Sequence, residues 1–153
     1  MHPEIRKRAS AAGYSEDDGS LLLLAAGVEN LSVILNHMNA HSVDTIVSIL
    51  TLCSLPQKPH PAHALEVLCD AVLVPGGQLL FYEHVLSHVP SVARWQHFWT
   101  PIWSTLVDGC RLDRPSHEWI KRMKVWKEGE TWGKDGEPEE HLFWHQAGRF
   151  IKA

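Results

Sequence analysis

The stretch LEVLCDAVLVPGGQLLFYEH, residues 65–84, decides the fold. Leu65, Leu68, Cys69, Val72 and Leu73 recur at helical spacing and form one apolar stripe. Pro75-Gly76-Gly77 predicts a stop, because proline brings no amide to the helical ladder and glycine accepts positive φ just past a helix end. Gln78 to Tyr82 then reads as a buried strand that closes on two ionisable residues, Glu83 and His84. In open α/β sheets, ligands bind at the C-terminal ends of the strands, so this pair marks the candidate site.

Upstream, VDTIVSILTL (43–52) is apolar and rich in β-branched residues, which predicts a central parallel strand. Leu21–Ala25 is a continuous apolar run suited to a strand buried on both faces. Met1 to Tyr14 is helix-like, with Gly13 as its stop. Gly27-Val28-Glu29 reads as a turn, and Ser32–His41 as a short helix or irregular crossover. Pro56, Pro59 and Pro61 make a loop before the Leu65 helix. This alternation predicts a parallel sheet with helices on its faces.

Downstream the pattern changes. Trp95, Trp99 and Trp103 line one side of a helix with Phe98 and Ile102, either as core or as a cap over an apolar substrate. Pro101 predicts a break there, with Thr100 capping a new start. Asp108-Gly109 ends the segment. Ser116–Met123 reads as a helix carrying a Glu118–Arg122 pair. Val125–Trp132 and Leu142–Lys152 are expected as an antiparallel pair of strands across the Gly133–Glu140 loop.

The 153 residues are read as a single domain, 1–153, and a net charge of −4 gives no electrostatic footprint for nucleic acid. The longest apolar run, Leu21–Ala26, is too short for a transmembrane segment. Cys53, Cys69 and Cys110 are odd in number and form no CxxC, which argues for a reducing, cytoplasmic setting without a disulfide framework. The histidine pairs His60/His63, His84/His88 and His141/His145 fall in unlike elements without cysteines at ligand spacing, so no metal is expected. Cys110 has no histidine placed beside it by the sequence and is read as structural.

VDTIVSILTLCSLP, LVPGGQLLFYEHV and the Trp-rich segment ending DGCR, with Arg114, resemble the C-terminal two-thirds of a class I S-adenosylmethionine-dependent methyltransferase. The nearest group is that of the alkyl-thiol methyltransferases. The resemblance implies an α/β, Rossmann-like sheet of order 3-2-1-4-5-7-6, truncated so that its first two strands are missing. It also implies methyl transfer from S-adenosylmethionine to a small apolar acceptor at S, O or N. Gly27, Val28 and Glu29 would border the adenine, and Ile49 and Leu50 the methionine part of that cofactor. Glu83 and His84 are the implied catalytic pair, with Glu83 orienting a proton-transferring His84. The chain has no GxGxG and no acidic strand end to hold a ribose, so binding of the cofactor by this chain alone is expected to be weak. Two alternatives stand beside this reading: a non-catalytic interaction module, and a small-molecule enzyme that reuses the pocket without methyl transfer. The strand at 43–52 would expose an apolar edge, to be covered by Leu21–Ala25 or else by a second copy or a partner chain.

Overall fold

A computed structural model describes residues 2–153; Met1 of the expected first helix lies outside them. The elements are helices α1 (His2–Ala11), α2 (Leu31–Leu35), α3 (Pro61–Val72), α4 (Pro90–Leu106) and α5 (Ser116–Arg122). The strands are β1 (Val43–Ile49), β2 (Leu73–His84), β3 (Trp126–Gly133) and β4 (His145–Lys152). They form one sheet of order β1-β2-β4-β3. β1 and β2 are parallel, while β4 runs antiparallel to both β2 and β3. This matches the 4-5-7-6 half of the order implied by the resemblance.

The helix–turn–strand unit at 65–84 forms with one change. α3 ends at Val72, and Leu73, although on the helical stripe, is already extended at φ −69° and ψ 138°. Pro-Gly-Gly is therefore a bulge near the start of β2: Val43 pairs with Leu73, and Thr45 already with Gln78. Gly76 sits at φ 78° with open space where a Cβ would be. Gly76→Val is expected to cost on the order of 1–3 kcal/mol through backbone strain alone. Thermal unfolding measures it, and a melting point within a degree or two of the parent would contradict it.

The core lies under β2: Leu65, Cys69, Leu73, Leu79, Phe81, Ile120, Met123 and Phe150 pack together with Leu52. Lys152 is buried against the end of α3, where its ammonium donates to the carbonyls of Asp70 and, at 2.9 Å, Leu73. A cation there complements the exposed carbonyls of the last helical turn.

Leu21–Ala25 is not a strand. The segment has no regular structure, and Leu22 is more than half exposed. Four leucines without β-branching have no intrinsic pull towards extended pairing, and the segment joins no ladder of the sheet. The edge of β1 is consequently not covered as expected. β1 is an outer rather than a central strand, pairs with β2 alone among the described residues, and leaves Val47 and Ile49 each 60% exposed. No helix among the described residues is long and apolar enough to cross a membrane.

α4 also departs from expectation. It runs unbroken through Pro101. Thr100 caps nothing; its hydroxyl is buried and donates back to the Gln96 carbonyl at 2.7 Å. The buried side of α4 is Val92, Gln96 and Thr100, whereas Trp95, Phe98, Trp99, Ile102 and Leu106 are exposed. Gln96 docks the helix by accepting from the Ser87 amide at 2.8 Å and donating to the carbonyls of Val85 and Leu142. Trp95 and Trp99 are thus not core packing, while Trp103 is half-buried.

Candidate active site

Because β1 and β2 are parallel, their C-terminal ends meet at one edge of the sheet, and antiparallel β4 starts there, setting His145 beside His84. Neighbouring residues of a strand point to opposite faces. Glu83 and His84 follow that rule and do different things.

Glu83 is fully buried and accepts three hydrogen bonds from the end of β1 and the segment after it: Ser48 Oγ at 2.8 Å, the Thr51 amide at 3.0 Å and the Leu52 amide at 3.1 Å. Burial raises its carboxyl above the ordinary carboxylate range, and these donors pull it back. From the other side, the buried guanidinium of Arg114 donates to the carbonyls of Leu52 and Leu55, both at 2.7 Å. Residues 51–55, which include a 3₁₀ turn over Leu52–Ser54, are therefore clamped at their amides by a carboxylate and at their carbonyls by a guanidinium.

His84 faces a cavity of about 490 Å³. That is within the range of small-molecule sites. Leu50, Cys53, Ser54, His84, Trp103, Val107, Asp108, Cys110, His141, Phe143 and His145 line it. The Trp103 and Phe143 rings pack 4.9 Å apart, and Phe143 stands edge-on to His84. His84 Nε2 lies 3.0 Å from Cys110 Sγ, which also accepts from Trp103 Nε1 at 3.4 Å. Burial, with a smaller push from His145, lowers the His84 pKa to about 4. The ring stays neutral through the physiological range and is a poor proton acceptor. Burial pushes the Cys53 thiol up to about 12. Glu137 binds His145 twice, accepting from its amide at 2.7 Å and lying 2.6 Å from Nδ1; His141 Nδ1 is 3.4 Å from the same carboxylate.

Glu83 and His84 are thus brought to one strand end, but Glu83 orients residues 48–52 rather than His84. Leu50 lines the cavity at φ 51°, held by its amide on the Tyr82 carbonyl, while Ile49 is exposed at the strand end. Gly27, Val28 and Glu29 do form a turn, closed by the Asn30 amide on the Gly27 carbonyl at 2.9 Å. The Glu29 carboxylate folds so tightly over Gly27 that a Cβ there would lie 2.3 Å from it. No hydrogen bond among the described residues joins this turn to the end of β1. The sequence did not reveal that Cys53, Cys110, Trp103, Phe143 and His145 share one cavity. Nor are the histidines dispersed: His84 meets two cysteines, and His141 and His145 meet one carboxylate.

No family model matches the chain. Among curated proteins it is similar to the human thiol S-methyltransferase TMT1A, 38% identical over 90 residues covering 56% of this chain and 34% of that one. It is also similar to the rat thiol S-methyltransferase TMT1B, 38% identical over 84 residues, 54% and 33% of the respective chains. The chain therefore spans about a third of the length of these relatives. Two solved structures share its fold at low identity. One is a SAM-dependent methyltransferase from Thermotoga maritima, with TM-score 0.58 and 16% identity, covering 88% of this chain and 65% of that one. The other is the YcgJ protein from Bacillus subtilis, with TM-score 0.59 and 11% identity, covering 97% and 78%.

Proposed function

Since the chain resembles the C-terminal part of class I SAM-dependent methyltransferases in sequence and in fold, we propose that it serves methyl transfer to a small apolar thiol. The observation that carries this reading is the aromatic-walled cavity at the C-terminal ends of β1 and β2, with sulfur and imidazole groups at its base. S-adenosylmethionine, when bound, supplies an electrophilic methyl on an already cationic leaving group, so bond making at the acceptor sulfur and bond breaking at the sulfonium balance, with the thiol proton released to water. The chain's own task is then to position the acceptor and exclude water. Trp103 and Phe143 hold the alkyl part, His84 touches the acceptor end, and Glu83 acts as a positioning residue through the clamped segment.

For the cofactor itself, the residues present are an incomplete fit. Leu50 and Ile49 offer a surface at the end of β1, but the only glycine of the 27–29 turn is already covered by Glu29, and the sequence has no GxGxG loop. Titration of the chain with S-adenosylhomocysteine is expected to show binding weaker than micromolar. Stoichiometric micromolar binding, about −8 kcal/mol, would show that 27–29 and 49–50 suffice. The open edge of β1 is where a further strand, from another chain or a second copy, would pair.

The function is tested by transfer of labelled methyl from saturating S-adenosylmethionine to matched alkyl thiol, alcohol and amine acceptors. Turnover with the thiol alone, lost in Trp103→Ala, is the expected result. Equal turnover with all three would remove the thiol assignment, and none with any would favour an interaction module.

A further inference from the structure

Three donor atoms of soft-metal type converge at the base of the cavity. The ligand atoms of Cys53, His84 and Cys110 all lie within 4.8 Å of one another, and all three residues are buried. They come from three places in the chain: the turn after β1, the end of β2 and the loop after α4. Each backbone is held by hydrogen bonds other than those of the ligand atoms. Cys53 sits in the segment held by Glu83 and Arg114, His84 is paired with His145 in the ladder, and the Arg111 amide donates to the Cys53 carbonyl at 3.1 Å. A constellation held this way keeps its geometry when a ligand is lost, which a metal site requires.

His84 presents Nε2 to the cluster, 3.0 Å from Cys110 Sγ, while its Nδ1 is buried with no hydrogen-bond partner. Cys110 Sγ already accepts an indole N–H from Trp103, the kind of outer contact that stabilises a metal-bound thiolate. Two thiolates and an imidazole favour zinc over harder cations, and three protein ligands leave a fourth tetrahedral position. All three residues line the apolar cavity, so a fourth ligand would come from it.

We propose that Cys53, His84 and Cys110 form a zinc site whose open position faces the cavity and takes the acceptor thiol as its thiolate. The metal part stands on the cluster alone; the thiolate part rests on the function proposed above. Binding releases the two cysteine protons, and the incoming thiol releases a third. A metal there would hold the acceptor sulfur deprotonated inside the cavity.

Cobalt(II) titration of the tag-free, reduced full chain tests this without any methyl transfer. The expected result is one Co²⁺ per chain with thiolate-to-cobalt charge-transfer absorption, displaced by Zn²⁺ and weakened at least 100-fold in Cys53→Ser, Cys110→Ser and His84→Ala. Zn²⁺ should also slow alkylation of Cys53 and Cys110 in the parent protein and leave Cys69 unchanged, a reading that needs no variant to fold. Absence of the band under reducing conditions, or a band that survives both serine substitutions, overturns the site. Cobalt bound without charge transfer and lost in His141→Ala would place it at Glu137 instead, and also overturns it. Butanethiol added to the cobalt form should strengthen the band; no change with cobalt in place refutes the acceptor role alone.

Discussion

Glu83→Ala is expected to lose on the order of 3–5 kcal/mol of stability, because three donors would be left without their acceptor in a place water reaches poorly. The Ser48 hydroxyl and the Thr51 and Leu52 amides all converge on this carboxylate. A domain has only about 5–15 kcal/mol in total, so most of the chain should be unfolded in mild denaturant. Glu83→Gln keeps the shape and one acceptor oxygen but loses the charge. Hydrogen bonds to a charged group are about twice as strong as neutral ones, so glutamine should recover roughly half of the loss. Urea unfolding of the two variants measures both effects. Equal midpoints for parent and alanine variant would mean that the buried carboxylate is not what holds residues 48–52.

Gly148→Val should be as damaging for a different reason. Gly148 pairs with Phe81 across the β2–β4 ladder, and a Cβ built on it would lie 2.5 Å from the Phe81 ring and 2.8 Å from the Glu130 carbonyl. The ring could turn aside, but the carbonyl belongs to the neighbouring strand and cannot. Phe81 also stacks on Phe150, which covers Gly129 in the same manner, so displacing one ring disturbs the other. Overpacking of this kind costs about 3 kcal/mol or more, a fall in melting temperature of roughly 10 °C for a chain this size. Phe81→Leu should restore part of the loss in Gly148→Ala, where only the first methyl must be housed. If Gly148→Val melts with the parent, β2 and β4 are not packed as described.

Much of the fold was legible where side-chain period and turn chemistry agree. The Leu65 stripe and the β-branched run produced a helix and a strand, and Gly76 takes positive φ, although inside β2 rather than at the helix end, and β1 is an outer strand. The strands around 126–133 and 145–152 formed too, and they pair with each other antiparallel across the loop between them. The failures share a physical cause: they depended on what lay alongside. Leu21–Ala25 is apolar enough for a strand but has no ladder to join. Pro101 lacks only one amide, and α4 continues past it because Gln96 and Thr100 anchor the preceding turn. The site was half legible. A strand ending in Glu83-His84 marked the place, and alternation then sent the two side chains to opposite faces. Cys53 and Cys110 could not be joined to His84 from spacing, since 31 and 26 residues separate them from it. Only the parallel pairing of β1 with β2, together with the Arg111–Cys53 backbone bond, brings them together.

The strand that unites the sheet, β4, comes after both of its neighbours in the chain. β3 has no other neighbour among the described residues, and Gln78 must wait for Ile151. While the chain is being synthesised, β2 therefore carries Leu79 and Phe81 beside an unfilled edge, and β3 is a lone ribbon. Closure of so long a loop has to precede any gain from the contacts it allows. The hazard for this protein is thus one of timing. Its yield in a cell should follow how quickly residues 145–152 arrive, and how well the nascent chain is shielded before then, more closely than the stability of the finished sheet.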